Sequence, residues 1–166
     1  MMEAVKSDEI FETERKRQFC SFWLSGRLFG VDILDVKEIN SEITFTPIFH
    51  ASKEVKGYVN IRGQIHLVID LRLLLGFERA DDVEGRRLII FKTKVGEPFG
   101  VQVDRIGDVV EVTEGQIEQR TKVDDKLDRI VDSGDVIEGV CKLKDRLLVI
   151  LNAKSFLRII EKGRGR

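Results

Sequence analysis

Apolar residues of this 166-residue chain recur at every second position over several short stretches, a spacing that predicts β-strands. The first stretch, FCSFWL from Phe19, precedes the turn Ser25-Gly26 and the alternating residues 29–33, so a β-hairpin is predicted here. Further strands are predicted at ITFT (43–46), LIIF (88–91), FGVQV (99–103) and DVVEV (108–112). The pattern with a period of two residues therefore predicts a mostly β protein.

One helical turn is predicted after the first hairpin. Ile33, Val36 and Ile39 recur at intervals of three residues, which places their side chains on one side of a helix. Asp32 comes just before this run and has the kind of side chain that caps a helix N-terminus. We therefore expect Val36 and Ile39 on a short helix.

The two halves of the chain share one plan. The stretch GYVNIRGQIHLVIDLR from Gly57 aligns with GVCKLKDRLLVILNAK from Gly139, and the motif Phe-Gly-Val occurs at both Phe29 and Phe99. Repetition of one supersecondary unit predicts two small barrels of about five strands, packed side by side. The expected fold class is all-β with short helices. The alternative is a chance similarity, since any two antiparallel hairpins look alike.

Composition changes along the chain and suggests its organisation. Residues 1–17 carry charge without an apolar period and are predicted to form a flexible leader. The polar stretch ERADDVEGRR (78–87) predicts a boundary between subdomains at about 18–78 and 86–151, with exchange of chain ends between them left open. A C-terminal helix is predicted at about 152–162. Because no long apolar segment occurs, we expect a cytoplasmic protein.

Charge and cysteine content argue against several classes of function. The 28 basic and 29 acidic residues give a net charge of −1, and the clustered positive charge of a nucleic-acid binder is missing outside residues 162–166. Cys20 and Cys141 lie far apart without a Cys-x-x-Cys motif, so neither a zinc site nor a disulfide framework is predicted. A small-barrel nucleic-acid-binding module is therefore an alternative function only.

No catalytic combination of residues is recognisable in the sequence. The two histidines, His50 and His66, have no neighbouring nucleophile, and glycine-rich phosphate loops and metalloprotease motifs are missing. His66 stands in the middle of a predicted strand and is expected on a barrel surface or interface. We therefore expect no enzyme activity, no cofactor and no metal; an unrecognised hydrolase is the second alternative.

The motifs FGVDILDVKEI, VKGYVNIRGQIHLVIDLR, FGVQVDRIGDVVEVTEGQI and IEGVCKLKDRLLVILN follow one another within residues 18–160. With them the chain resembles the bacterial chemotaxis coupling family CheW. The resemblance implies two SH3-like barrels and a non-enzymatic adaptor that is monomeric when isolated. It also implies partners: the cytoplasmic tips of chemoreceptors and the regulatory domain of the histidine kinase CheA, in arrays beneath the inner membrane. At 47–56 the chain departs from the family, with Phe49 and Ser52 where prolines are frequent.

The resemblance also implies two contact surfaces. Receptor contact is assigned to Val36, Glu38, Ile39, Gly57, Arg62 and Gly63. Kinase contact is assigned to Ile106, Val109, Ile117 and Glu118. The residue types themselves indicate that Arg62, beside Gly63 at a hairpin tip, can bind a carboxylate bidentately. That carboxylate is either Glu38 of the same chain or an acidic residue of a partner, and both alternatives are open.

Overall fold

The computed structural model describes residues 14–41, 44–81, 83–119 and 136–164. Within these ranges the chain forms the strands β1 (Lys16–Leu24), β2 (Arg27–Asp32), β3 (Val36–Asn40), β4 (Val55–Ile61), β5 (Gln64–Asp70), β6 (Arg87–Phe91), β7 (Phe99–Val103), β8 (Arg105–Thr113), β9 (Ile117–Gln119), β10 (Ile137–Lys142) and β11 (Leu147–Leu151). The helices are α1 (Leu71–Leu74) and α2 (Lys154–Arg164), and 3-10 turns occur at Ile33–Asp35 and Glu114–Gln116.

The strands form two sheets. One sheet has the order β8-β1-β2-β11-β10-β9 and the other has the order β3-β6-β7-β5-β4. Neighbouring strands are antiparallel except β2 with β11 and β5 with β7, which are parallel. The all-β fold class with two small barrels is confirmed. One sheet has six strands rather than five because the three-residue β9 pairs with the edge of β10.

Each sheet takes strands from both halves of the chain. Strands β1 and β2 precede the polar linker at 78–86 but lie in the sheet of β8–β11, and β6 and β7 follow the linker but complete the sheet of β3–β5. The halves meet at four strand pairs, the antiparallel pairs β1–β8 and β3–β6 and the parallel pairs β2–β11 and β5–β7. The sheets therefore do not coincide with the sequence halves 18–78 and 86–151, and the exchange of chain ends is observed.

Three clusters of buried side chains form the core. The largest contains Phe22 and Phe29 of one sheet, Phe99 of the other and Phe156 of α2, and it therefore lies between the sheets. Two smaller clusters belong to the separate barrels, one around Phe19 and one around residues of β4, β5 and β6. In β11, successive residues alternate between the large cluster and a small one. Burial on both faces explains why LLVIL and LIIF are continuous apolar runs.

The helical turn predicted for Val36 and Ile39 is wrong in its extent. Asp32 caps the turn as expected, because its Oδ1 accepts a hydrogen bond of 2.9 Å from the backbone N–H of Leu34. The turn ends at Asp35, however, and Val36 and Ile39 lie on β3. Backbone pairing of β3 with β6 outweighs a three-residue period that is too short to specify a helix.

The structure also changes three of the predicted segments. Residues 1–13 of the predicted leader lie outside the described residues, but Lys16 and Arg17 belong to β1 and pair with Thr113 and Val112 of β8. The strand predicted at 43–46 is reduced to a single bridge between Thr46 and Tyr58, while residue 43 lies outside the described residues. The C-terminal helix begins at residue 154 rather than 152.

Candidate functional site

The hairpin of β4 and β5 presents Arg62 at its tip. The two-residue turn Arg62-Gly63 has φ angles of 52° and 84°, the pattern of a type I′ turn, whose twist matches that of paired strands. The side chain of Asn60 stabilises the turn by accepting a 2.9 Å hydrogen bond from the N–H of Gly63. The Arg62 side chain is 78% exposed. The turn therefore holds a guanidinium group in solvent on a well-defined backbone.

Arg62 forms an ion pair with Glu38 of β3. Its Nη1 lies 2.8 Å from Oε2 of Glu38, whose side chain is only 18% exposed. Asn40 donates a second, longer hydrogen bond of 3.4 Å to the other carboxylate oxygen. Since β3 and β4 are the terminal strands of their sheet, a contact between Glu38 and the β4–β5 tip connects the two edges of that barrel.

Of the predicted receptor residues, Glu38 and Arg62 are in contact, Gly63 adjoins Arg62 in the turn, and Ile39 follows Glu38 on the edge strand β3; we call these four residues the β3–tip surface. Ile39 is 44% exposed although it is apolar, and a Cβ atom on Gly63 would meet no atom within 4 Å. Val36, at the start of the same strand β3, is half-buried and packs against the large core cluster. The assignment of these residues to receptor contact stays a prediction.

Gly57 lies apart from the β3–tip surface. It is a buried residue at a bulge in β4, with a φ angle of 144° that favours glycine. A Cβ atom here would overlap the carbonyl oxygen of Thr46 and lie 2.9 Å from its carbonyl carbon. Thr46 and Tyr58 exchange two backbone hydrogen bonds of 2.8 Å at this point. The close packing of these two backbone segments is enough by itself to require a glycine at position 57. The role of Gly57 in receptor contact stays a prediction.

The predicted kinase residues lie on the two edge strands of the other sheet. Val109 of β8 is 54% exposed and Glu118 of β9 is exposed, whereas Ile106 and Ile117 are half-buried against core clusters. The 3-10 turn Glu114–Gln116 directly connects β8 to β9. We call these four residues the β8–β9 surface. Their role in kinase contact also stays a prediction.

An ion-pair network around Arg17 was not predicted from the sequence. Its guanidinium lies 2.8 Å from Glu138, 3.1 Å from Asp32 and 3.7 Å from Glu114. Burial by itself would lower the pKa of Arg17, but hydrogen bonds and charges of Glu138 and Asp32 outweigh burial and raise it. The network connects β1 with β2, β10 and the turn before β9. No local motif indicates it, because its members are far apart in sequence.

The described residues contain no group of three His, Cys, Asp or Glu side chains that could hold a metal ion. Cys20 and Cys141 are buried free thiols, and burial raises the pKa of both. His66 is buried rather than at a surface or interface, so that prediction was wrong. It points to the same side of β5 as Val68, and its Nδ1 lies 3.1 Å from the carbonyl oxygen of Gln64.

The model of the CheW-like domain family matches residues 18–161. The chain belongs to the CheW family. The match covers both sheets, from β1 to most of α2, and therefore includes the β3–tip surface and the β8–β9 surface. Among the helices that the structure describes, none has the length and apolar character needed to cross a membrane.

Characterised relatives agree with this family. The chemotaxis protein CheW of Helicobacter pylori is 24% identical, over 94% of this chain and 90% of the relative. The CheW protein of Thermotoga maritima is 28% identical, over 87% of this chain and 90% of the relative. The crystal structure of the scaffolding protein TtCheW from Thermoanaerobacter tengcongensis matches with a TM-score of 0.72 and 29% identity, covering 81% of this chain and 88% of that chain. This CheW-family chain is accordingly a chemotaxis adaptor and not an enzyme.

Proposed function

We propose that this chain couples the cytoplasmic tips of chemoreceptors to the regulatory domain of the histidine kinase CheA. The observation that carries the proposal is the separation of the two assigned surfaces. The β3–tip surface lies at the edges of the five-stranded sheet, and the β8–β9 surface lies at the edges of the six-stranded sheet. An adaptor of this kind has to bind both partners at once, so distinct surfaces on a shared core suit the task.

The chemistry of the β3–tip surface suits an acidic and apolar partner. One nitrogen of the Arg62 guanidinium binds Glu38, and the exposed remainder can bind a second carboxylate. Ile39, which follows Glu38 on the edge strand β3 and points to the other face of it, adds exposed apolar area. Arg62 is then both a brace for Glu38 and a contact for the receptor, so the two alternatives are compatible.

The β8–β9 surface has a different character. Val109 and the half-buried Ile106 supply apolar area on β8, while Glu118 on β9 lies 3.9 Å from Lys142 and adds an exposed charge. An apolar centre with charged neighbours is the composition expected of a protein–protein interface. We assign the kinase to this surface.

The adaptor acts without chemistry of its own. By holding receptor and kinase together it raises their effective concentration, and by binding one conformation of a partner more tightly it shifts that partner's equilibrium. It is a monomer when isolated and works in the cytoplasm, in receptor arrays beneath the inner membrane.

The proposal is tested by moving a charge onto each surface separately. Ile39→Asp should abolish receptor binding and leave binding to the kinase's regulatory domain intact, and Val109→Asp should do the reverse. Leu34→Asp is the matched control, because Leu34 is 62% exposed but belongs to neither surface. Binding of each variant is measured by calorimetry with a receptor signalling fragment and with the kinase domain. Loss of both partners by one variant, or retention of both by all variants, would refute separate surfaces.

A further inference from the structure

A surface cleft of about 510 Å³ lies beside β8. Its lining is mixed, and the apolar side chains on it come from separate elements: Leu28 of β2, Ile106 of β8 and Leu143 between β10 and β11. Leu28 belongs to the core cluster around Phe19, and Leu143 packs against that cluster, so the floor of the cleft is continuous with the interior of the six-stranded barrel. The cleft therefore lies directly against the core of this barrel.

Trp23 lies on the lining of this cleft, with two arginines close to its indole ring. The guanidinium carbon of Arg105 lies 5.1 Å from the centre of the indole ring, and that of Arg146 lies 5.3 Å from it. Both contacts are within the range of cation–π interactions, which orient the guanidinium groups over the ring. Arg146 also pairs with its neighbour Asp145 at 3.1 Å. Within the described part of the chain, Arg105 has no carboxylate partner.

The indole N–H of Trp23 is a further group that is free to bind a ligand. The N–H of Trp23 has no acceptor among the residues that the structure describes. Gly107 lies beside it: a Cβ atom at this position would be 3.5 Å from the indole nitrogen and 2.5 Å from Oγ of Ser21. The hydroxyl of Ser21 instead donates to the carbonyl oxygen of Asp108. Glycine at 107 thus leaves the indole N–H accessible from the cleft.

The unused polar groups on the lining are mainly donors. Among the described residues, the N–H groups of Arg105 and Trp23 have no acceptor, and Asp108 is the only acidic side chain on the lining of the cleft. Such a site complements a carboxylate that arrives with an apolar side chain, because the acid satisfies the donors and the apolar group covers the walls.

We propose that this cleft receives an apolar side chain and an adjacent carboxylate from the regulatory domain of the kinase. The inference rests on the proposed function, because Ile106 forms a wall of the cleft and Val109 lies on the same strand, which makes the cleft continuous with the β8–β9 surface. The carboxylate lies against Arg105 and the indole N–H, and the apolar side chain lies against Leu28 and Leu143. Trp23 is then the centre of the kinase contact.

The chain offers a direct reporter of this cleft, since Trp23 is its only tryptophan. Protein labelled with 5-fluorotryptophan gives one ¹⁹F resonance, which is recorded while the unlabelled regulatory domain is added and binding is followed by calorimetry. We expect the resonance to shift in parallel with kinase binding and to stay unchanged on addition of a receptor fragment alone. A resonance that stays unchanged at full kinase occupancy overturns the inference and leaves the proposed function standing. A shift caused by the receptor fragment alone overturns it too.

Substitutions supply the second measurement. Arg105→Gln removes the guanidinium charge and Trp23→Phe removes the indole N–H, while both keep much of the side-chain volume, and each should weaken kinase binding at least roughly tenfold without affecting receptor binding. Arg158→Gln on the exposed face of α2 is the matched control and should bind as the unchanged protein does. Wild-type affinity of both cleft variants overturns the inference. If the unchanged protein does not bind the kinase domain at all, the proposed function fails with it.

Discussion

Replacing Arg62 by asparagine removes the guanidinium from the β4–β5 tip and leaves a residue that suits the turn. Arg62 has a φ angle of 52°, a left-handed conformation that disfavours most side chains, and Asn-Gly is the preferred pair in type I′ turns. Relief of this conformation should stabilise the fold by about 1 kcal/mol. Loss of the ion pair with Glu38 should cost at most about 1 kcal/mol, because the arginine is largely exposed.

The two effects nearly cancel, so the free energy of unfolding of Arg62→Asn should stay within about 1 kcal/mol of the original value, or about 2–4 °C in Tm. Receptor affinity should nevertheless fall by about 2–5 kcal/mol, because the partner's acid is left buried without a counter-ion. Thermal unfolding, together with calorimetric titration of a receptor fragment and of the kinase domain, measures all three quantities.

A double-mutant cycle with Glu38→Gln separates bracing from binding. If Arg62 acts on the receptor directly, Glu38→Gln alone should leave most of the receptor affinity. If Arg62 acts only by bracing Glu38, Glu38→Gln should lower receptor affinity as much as Arg62→Asn does, and the double variant should lower it no further. A Tm that falls by many degrees in Arg62→Asn, with receptor affinity retained, would refute the contact that we assign to this residue.

Three further predictions concern the scaffold. Gly57→Ala should destabilise the fold by more than about 2 kcal/mol, because the new Cβ would overlap Thr46. In Gly63→Ala the new Cβ meets no atom, so this control should lose only about 1 kcal/mol of stability from its backbone conformation. Similar urea midpoints for the two variants would contradict this reasoning. Asp104→Ala should lower the unfolding free energy by about 2–3 kcal/mol, because it removes the counter-ion that lies 3.1 Å from the largely buried Arg72. A loss below about 0.5 kcal/mol would show that the fold does not need this ion pair. Burial raises the pKa of Cys20 above the ordinary thiol value of 9.0, so its contribution to stability is complete below that pH and is lost as the pH rises through the folded-state pKa. Cys20→Ala should therefore reduce the alkaline loss of stability in urea titrations, and an unchanged pH dependence would disprove the assignment.

The sequence predicted individual strands well because their pattern is local. The runs LIIF and FGVQV became β6 and β7, and the Ser25-Gly26 and Arg62-Gly63 turns became hairpin tips. The assignment of strands to sheets was not predictable in this way, because the parallel pairs β2–β11 and β5–β7 depend on contacts between distant segments. Local periodicity also failed at Val36, where pairing with β6 imposed a strand.

The candidate surfaces also depend on contacts between segments that are distant in sequence. The pair of Arg62 and Glu38 was one of two alternatives from the sequence, and the structure forms it because the sheet brings β3 close to the β4–β5 tip. The network of Arg17 and the cleft of Trp23 were not predicted, since their members come from three or more elements each. The sequence indicated these sites only through the presence of arginine and tryptophan, and neither residue type by itself specifies an ion-pair network or a binding cleft.

Coupling itself is tested most directly by the rate of CheA autophosphorylation in defined mixtures of kinase, receptor signalling fragments and this protein. We predict strong activation only when all three components are present, and loss of that activation with either Ile39→Asp or Val109→Asp. Full activation of the kinase by this protein without receptor, or an unchanged kinase rate when all three are combined, would contradict the proposed adaptor function.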